Sequence, residues 1–255
     1  MTKVILFPLH FLLSLPPCES HNEGMFHHYT HAHIANIMLH IVGGSAAIIA
    51  GFIAIVSRKR GLLHARAGMI FVYAYGIVIL TAVLGVVVFE FRSFLAVATI
   101  ASSYDVFSGY RAVKLRGRRP APIDRAVASI ALLSPVLFIS AIRFLSKPWS
   151  PILTWTILGS LLLMSAYDLL RGALPADWLQ RSWVYEHLFK MIWAFDALTA
   201  TFAATIFPHF QPWSSLIPNF AGIAVIIGFF VAGPRAWSGN SDLKPPSPVY
   251  NFPQA

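Results

Sequence analysis

Charge is scarce in this chain of 255 residues: Asp, Glu, Lys and Arg together make up 11% of it, where an average soluble domain has about 25%. Cysteine is scarcer still. The single Cys18 excludes an internal disulfide and any thiolate cluster that would hold zinc or iron–sulfur within one chain. The HExxH, Walker-loop and nucleophile-elbow patterns are all missing, and with them the usual signatures of zinc proteases, nucleotide hydrolases and serine hydrolases. The long apolar runs lack the alternating polarity of barrel strands. What fills the chain is hydrophobic: 57% of the residues, with a mean hydropathy of +0.67. Water is the wrong solvent for such a surface, so the expected fold is all-α, a polytopic bundle of about seven transmembrane helices.

Seven apolar stretches carry that expectation: Ile34 to Val56, Ala67 to Phe89, Ser93 to Tyr110, Ala126 to Leu145, Ile152 to Leu170, Trp183 to Phe207 and Leu216 to Ala232. They divide the chain into an outer segment (1–33), a membrane domain (34–233) and a Pro-rich polar tail (234–255) with the composition of a disordered segment. In the first segment, Lys3 and the apolar run from Val4 to Leu15 have the layout of a signal peptide, but Pro16 and Pro17 stand where cleavage needs small residues. An uncleaved short anchor, a poor signal and a true start at Met25 all stay open.

The net charge of +9 does not point to nucleic acid, because it lies in short loops. The first connection carries Arg58, Lys59, Arg60 and Arg66, and the third carries Arg111, Lys114, Arg116, Arg118, Arg119 and Arg125. Arg171 and Arg181 follow in the fifth, and Arg235 and Lys244 in the tail. The second offers only Arg92, the fourth Arg143 and Lys147, the sixth none. Basic residues collect on the cytoplasmic side, which predicts an N-out, C-in protein of the bacterial inner membrane whose main partner is the lipid bilayer.

Polar side chains inside the spans mark where helices meet or where chemistry occurs. The stretch Trp183–Phe207 carries Glu186, His187, Lys190 and Asp196, with His187 and Asp196 on opposite faces at 100° per residue. Asn36, His40, Gly44, Ala47 and Gly51 form a stripe on the first span that lets another helix come close. His64, Gly68 and Tyr75 share a side of the second span. Ser102-Ser103-Tyr104-Asp105 is echoed by Ser165-Ala166-Tyr167-Asp168, a short match compatible with an ancient duplication. Pro135 is expected to kink the fourth span, and Trp149, Trp178 and Trp213 sit where interfacial rings anchor. His27, His28, His31 and His33 cluster before the first span without the spacing of a defined metal site.

Two patches resemble a known family. His40 with Gly44, then Gly61-Leu62-Leu63-His64-Ala65-Arg66-Ala67-Gly68 and Tyr73, form the first. Asp168, Arg171-Gly172, His187-Leu188-Phe189-Lys190-Met191 and the Ala-rich run to Phe202 form the second. Together they resemble bacterial polytopic membrane proteins catalogued as a domain of unknown function, over roughly Ile34 to Phe207. Two departures stand out: the turn has His-Ala-Arg for His-Arg, and Lys190 replaces the usual Arg. The resemblance implies a membrane bundle and its location, and no chemistry.

The chemistry must come from the residues. His64 and His187 fall at the cytoplasmic end of two different helices, the placement that a b-type haem or a transition metal needs for two imidazole ligands. Asp105 and Asp168 reach a similar depth and are expected to orient the imidazole N–H groups. His40 and Asp196, nearer the middle or outer half, suggest a second polar site, a third cofactor contact at His40, or the outward part of a proton path. Against this stands a plain structural reading in which Asp105 pairs with Arg111, Asp168 with Arg171, and Glu186 with Lys190 at helix ends. Three functions remain in view: a His-ligated haem or metal redox protein, a small-solute or proton-coupled transporter, and a structural or assembly protein without catalysis. A zinc hydrolase built from His64, His187 and a carboxylate ranks lower. Besides lipid, a small-molecule ligand and a second copy of the chain in a homo-oligomer are the partners these residues leave open.

Overall fold

The computed structural model describes residues 30–59, 61–89, 91, 93–145, 151–210 and 213–238. Cys18, Met25, His27, His28, Trp149 and the tail from 239 onward lie outside the described residues, along with the expectations placed on them. Among the described residues the chain forms seven long helices and no strand. They are α1 (His31–Val56), α2 (Leu62–Leu84), α3 (Ser93–Leu115), α4 (Pro122–Leu145), α5 (Pro151–Leu170), α6 (Ala176–Ile206) and α7 (Trp213–Ser238). A π turn, Gly85–Phe89, finishes α2. Short 3-10 turns, Arg171–Ala173 and Pro208–Phe210, follow α5 and α6.

Four helices are long and apolar enough to cross a membrane: α1, α2 with its π turn, residues Pro122–Ser140 of α4, and α6; Leu216–Ala232 of α7 is a shorter apolar run. Large apolar side chains stand outward on these helices, with Leu80 and Val231 each about two-thirds or more exposed, as suits an apolar surrounding.

Helix ends move from their expected places for local reasons. Thr30 caps α1 by accepting the N–H of His33, so His31 and His33 belong to the helix and not to a free segment before it. His33 stacks flat on Phe89 of the π turn, with ring centroids 4.3 Å apart. Pro175 precedes the first turn of α6, where Asp177 complements the helix dipole. The helix therefore starts seven residues before Trp183, and His187 lies about three turns in and not at its end. Pro135 sits inside α4 with helix on both sides. Trp178 and Trp213 are exposed.

Small residues bring α1 and α2 together along Gly43, Gly44, Ala47, Ala50, Gly51 and Ala54. A Cβ on Gly43 would stand 3.1 Å from Ile77 Cγ2 of α2, so the close approach depends on glycine. At the centre α3 packs along α6, α5 packs on α4, and α7 leans on α6. Two clusters result. Ala47, Ala50, Phe71, Tyr75, Val106 and Ala194 join α1, α2, α3 and α6. Tyr104, Ala128, Ala131, Leu161 and Met164 join α3, α4 and α5, with Phe189 and Trp193 of α6 against them. Between α3 and α4 the chain turns through Arg116 and Gly117, at φ 46° and 80°. A Cβ on Gly117 would lie 2.6 Å from the Cα of Gln180, so this turn is fitted directly onto α6.

Candidate functional site

Helix α6 separates two polar regions of different character. On one flank is a cavity of about 350 Å³, walled by α1, α2, α3 and α6 and closed by Phe229 of α7. His64 and His187 both line it, with Gly68 leaving open space where a side chain would stand and Lys59 and Arg116 supplying positive charge. The sequence placed the two histidines together, and the structure does so.

Each ring is held by a backbone carbonyl. His64 Nδ1 lies 2.9 Å from the oxygen of Ala54, in the last turn of α1, where carbonyls have lost their helical partners. Ser57 Oγ and Lys59 Nζ also donate to that oxygen, at 3.1 and 3.0 Å, and Lys59 donates to Ile55 at 2.6 Å. His187 Nδ1 lies 3.0 Å from the carbonyl oxygen of Gly109 on α3. A carbonyl can only accept, so both Nδ1 atoms carry the proton and each neutral ring keeps its lone pair on Nε2. Metal-binding histidines are commonly prepared in this way. Lys59, in the loop after α1, sits partly buried over the ring of Phe229 at 4.9 Å; burial lowers its pKa from the ordinary lysine value.

The expected carboxylate support for these rings is not what holds them. Asp168 receives Lys190 Nζ at 2.5 and 2.7 Å and the Tyr104 hydroxyl at 2.6 Å. Neither Asp105 nor Asp168 lines the histidine cavity. The physical reason is competition: a buried carboxylate gains more from an ammonium within reach than from a neutral imidazole that already has a carbonyl.

That pairing defines the second flank, where α3, α4 and α5 face α6. The ion pairs expected along single helices or adjacent ends are replaced by pairs between elements. Arg171 Nε lies 3.0 Å from Glu186 Oε2, and Arg111 grips Asp124 at 2.5 and 2.9 Å. Tyr167 and Ser182 donate to Glu186 Oε1 at 2.9 and 2.8 Å. Arg171 meets Glu186 out of line, so its Nε and Nη2 and Glu186 Oε2 form no hydrogen bond among the described residues. Beside this pair a pocket of about 20 Å³, lined by Arg111, Asp124, Asp168, Arg171 and Lys190, has room for one water.

His40 and Asp196 do not form one site. His40 Nδ1 is 2.8 Å from Thr81 Oγ1, whose own proton goes to the carbonyls of Ile77 and Val78, so the imidazole is the donor. Asn36 donates to the Thr81 carbonyl at 3.0 Å. His40 thus joins α1 to α2 and does not line the cavity of His64 and His187. Asp196, 5% exposed, is turned to α7, where a Cβ on Gly222 would come within 2.8 Å of its Cγ.

Lys59 and Arg116 as cavity residues, and Asp124, Tyr104, Tyr167 and Ser182 as members of the charged network, were missed by sequence reasoning. For the tyrosines a signal existed: both belong to the repeated Ser-x-Tyr-Asp pattern, and Tyr104 of the first copy binds Asp168 of the second. The reciprocal contact is not made, since Tyr167 goes to Glu186.

Among the described residues no group of three or more His, Cys, Asp or Glu side chains could hold a metal ion. A zinc site made only from protein ligands therefore lacks its third donor. A larger cavity of about 770 Å³ between α5, α6 and α7 has mostly apolar and aromatic walls, the kind of surface that acyl chains cover. No protein-family model, curated protein or solved structure matches the chain.

Proposed function

We propose that this is a seven-span protein of the bacterial inner membrane, N-terminus outside, whose His64 and His187 hold a cofactor for electron transfer, with a b-type haem the best fit. The carrying observation is that two imidazoles from different helices share one cavity, each with Nδ1 committed to a carbonyl and Nε2 left to bind. A haem needs only two ligands from the protein, since its macrocycle supplies four nitrogens, whereas zinc needs a third and fourth side chain that the cavity does not offer. Lys59 and Arg116 on the cavity wall suit the anionic edge of such a cofactor. The volume is at the low end for a ligand pocket, about 300–1,000 Å³ in general, so binding calls for side chains that line it to give way. Bound haem exchanges single electrons; the chain's part is to orient the two rings, exclude water and balance charge.

The orientation rests on the basic loops after α1, α3 and α5, and a topology reporter fused after Ala255 that is active only outside would reverse it. The resemblance to uncharacterised bacterial membrane proteins rests on the His64 and His187 motifs and agrees with this location. A test of the cofactor is stoichiometry: protein purified from haem-replete cells should carry one haem per chain, and His64→Ala and His187→Ala should each lose it while still being expressed. Retention of haem by both variants would overturn the assignment. The second reading, proton-coupled transport, is favoured by one observation, the buried ionic network around Lys190. It predicts no chromophore.

A further inference from the structure

The charges gathered around Lys190, buried at Lys190, Arg171, Glu186 and Asp105 and partly exposed at the Arg111–Asp124 pair, do not cancel. Three cations each have an acid against them: Lys190 with Asp168 at 2.5 Å, Arg111 with Asp124 at 2.5 Å, and Arg171 with Glu186 at 3.0 Å. A fourth acid, Asp105, is 6% exposed on the α3 face that meets α6. Among the described residues no cation is paired with it. With every group ionised the cluster would hold three positive and four negative charges, a net charge of −1.

A lone carboxylate in a dry interior neutralises by taking up a proton unless a cation reaches it. The candidates around Asp105 are already engaged. Lys190 of α6 and Asp168 of α5 act on Asp105 electrostatically, but the ammonium is clasped by both Asp168 oxygens. From α2, Tyr75 is within electrostatic reach of Asp105 and gives its hydroxyl proton to the Ala194 carbonyl. On α3 itself Tyr104 donates to Asp168, and from α4 Asp124 is held by Arg111. One turn beyond Asp105, Gly109 is pressed by Met191 and Lys190 and bound by His187, which fixes this stretch of α3 on α6. Asp105 cannot easily turn away to find water.

We propose that the network binds one exchangeable proton and that Asp105 is the residue that holds it, as a carboxylic acid inside the bundle. The site takes H⁺ and nothing else, and it does not depend on a cofactor at His64 and His187. Asp105 is thereby a buried proton store beside three fixed ion pairs, and removing it leaves a network whose charges balance.

Infrared spectroscopy of the full chain in lipid vesicles at neutral pH tests this, in H₂O and in D₂O. The protonated-carboxyl C=O band should contain a component that shifts in D₂O, disappears in Asp105→Asn and is displaced in Asp105→Glu. Asp196→Asn, which lies outside the network, should leave that component in place. If the wild-type and Asp105→Asn spectra superimpose in this region, or if the wild type shows no such band, the proposal fails. Should Asp105→Asn not fold, Asp105→Glu decides: a displaced component supports the proposal, an unmoved one overturns it.

Discussion

The two flanks of α6 bury polarity in opposite ways. Toward α1, α2 and α3 two neutral rings, each with one nitrogen satisfied and the other left over, line a cavity of about 350 Å³ together with Lys59 and Arg116. Toward α4 and α5 they are charges drawn into pairs, beside a space of about 20 Å³ and, at Glu186 and Lys190, on the wall of the larger, mostly apolar cavity. The first arrangement costs little to hold and leaves binding capacity unused. The second needs every partner, because removing one half of a buried pair strands the other. A single helix serves both because His187 and Lys190, three residues apart, point to different neighbours.

If the contrast is right, comparable truncations should have unequal costs. The largest effect is expected from Lys190→Met, which leaves Asp168 buried with only Tyr104 for support; breaking a buried pair in this way costs about 3–5 kcal/mol. Thermal unfolding in detergent should show it as a large fall in melting temperature, with most of the loss recovered in Lys190→Met/Asp168→Asn. A neutral single variant would mean that the paired flank is not held by its charges.

The helices were legible in hydropathy because each of the seven apolar stretches falls on one of them, four being long and apolar enough to cross a membrane, and the common depth that the basic loops gave His64 and His187 anticipated the cavity both line, although His187 lies three turns into α6. Partner choice was not. Glu186 and Lys190 are four residues apart on α6, the spacing that suggests a mutual pair, yet Arg171 takes Glu186 and Asp168 takes Lys190. Helical periodicity gives the face of a side chain and not which neighbour approaches it. The support for the histidines was invisible for a related reason: it comes from the carbonyls of Ala54 and Gly109, and every residue has a carbonyl.

A middle-sized effect is expected between the flanks. Gly117→Ala places a side chain at φ 80° against the backbone of α6, with a backbone cost of about 1–2 kcal/mol. Because Arg116 lies on the cavity wall, this variant should weaken cofactor binding while leaving the Asp168–Lys190 pair unchanged, as seen by comparing melting temperature with haem content. Loss of stability with unaltered haem affinity would show that the turn does not shape the cavity.

The smallest effect on the fold belongs to the open flank. His187→Ala, measured without cofactor, removes one neutral hydrogen bond and should cost about 1 kcal/mol, well below Lys190→Met in the same unfolding assay. An equal cost for the two would erase the distinction between a binding flank and a structural one.

The most direct measurement is the absorption spectrum of the detergent-purified chain, oxidised and then reduced with dithionite. If His64 and His187 both hold a haem, the spectrum should be low-spin, with α and β bands that sharpen on reduction and are absent from His64→Ala and His187→Ala. A wild-type protein from haem-replete cells that shows no chromophore in either state would contradict the account.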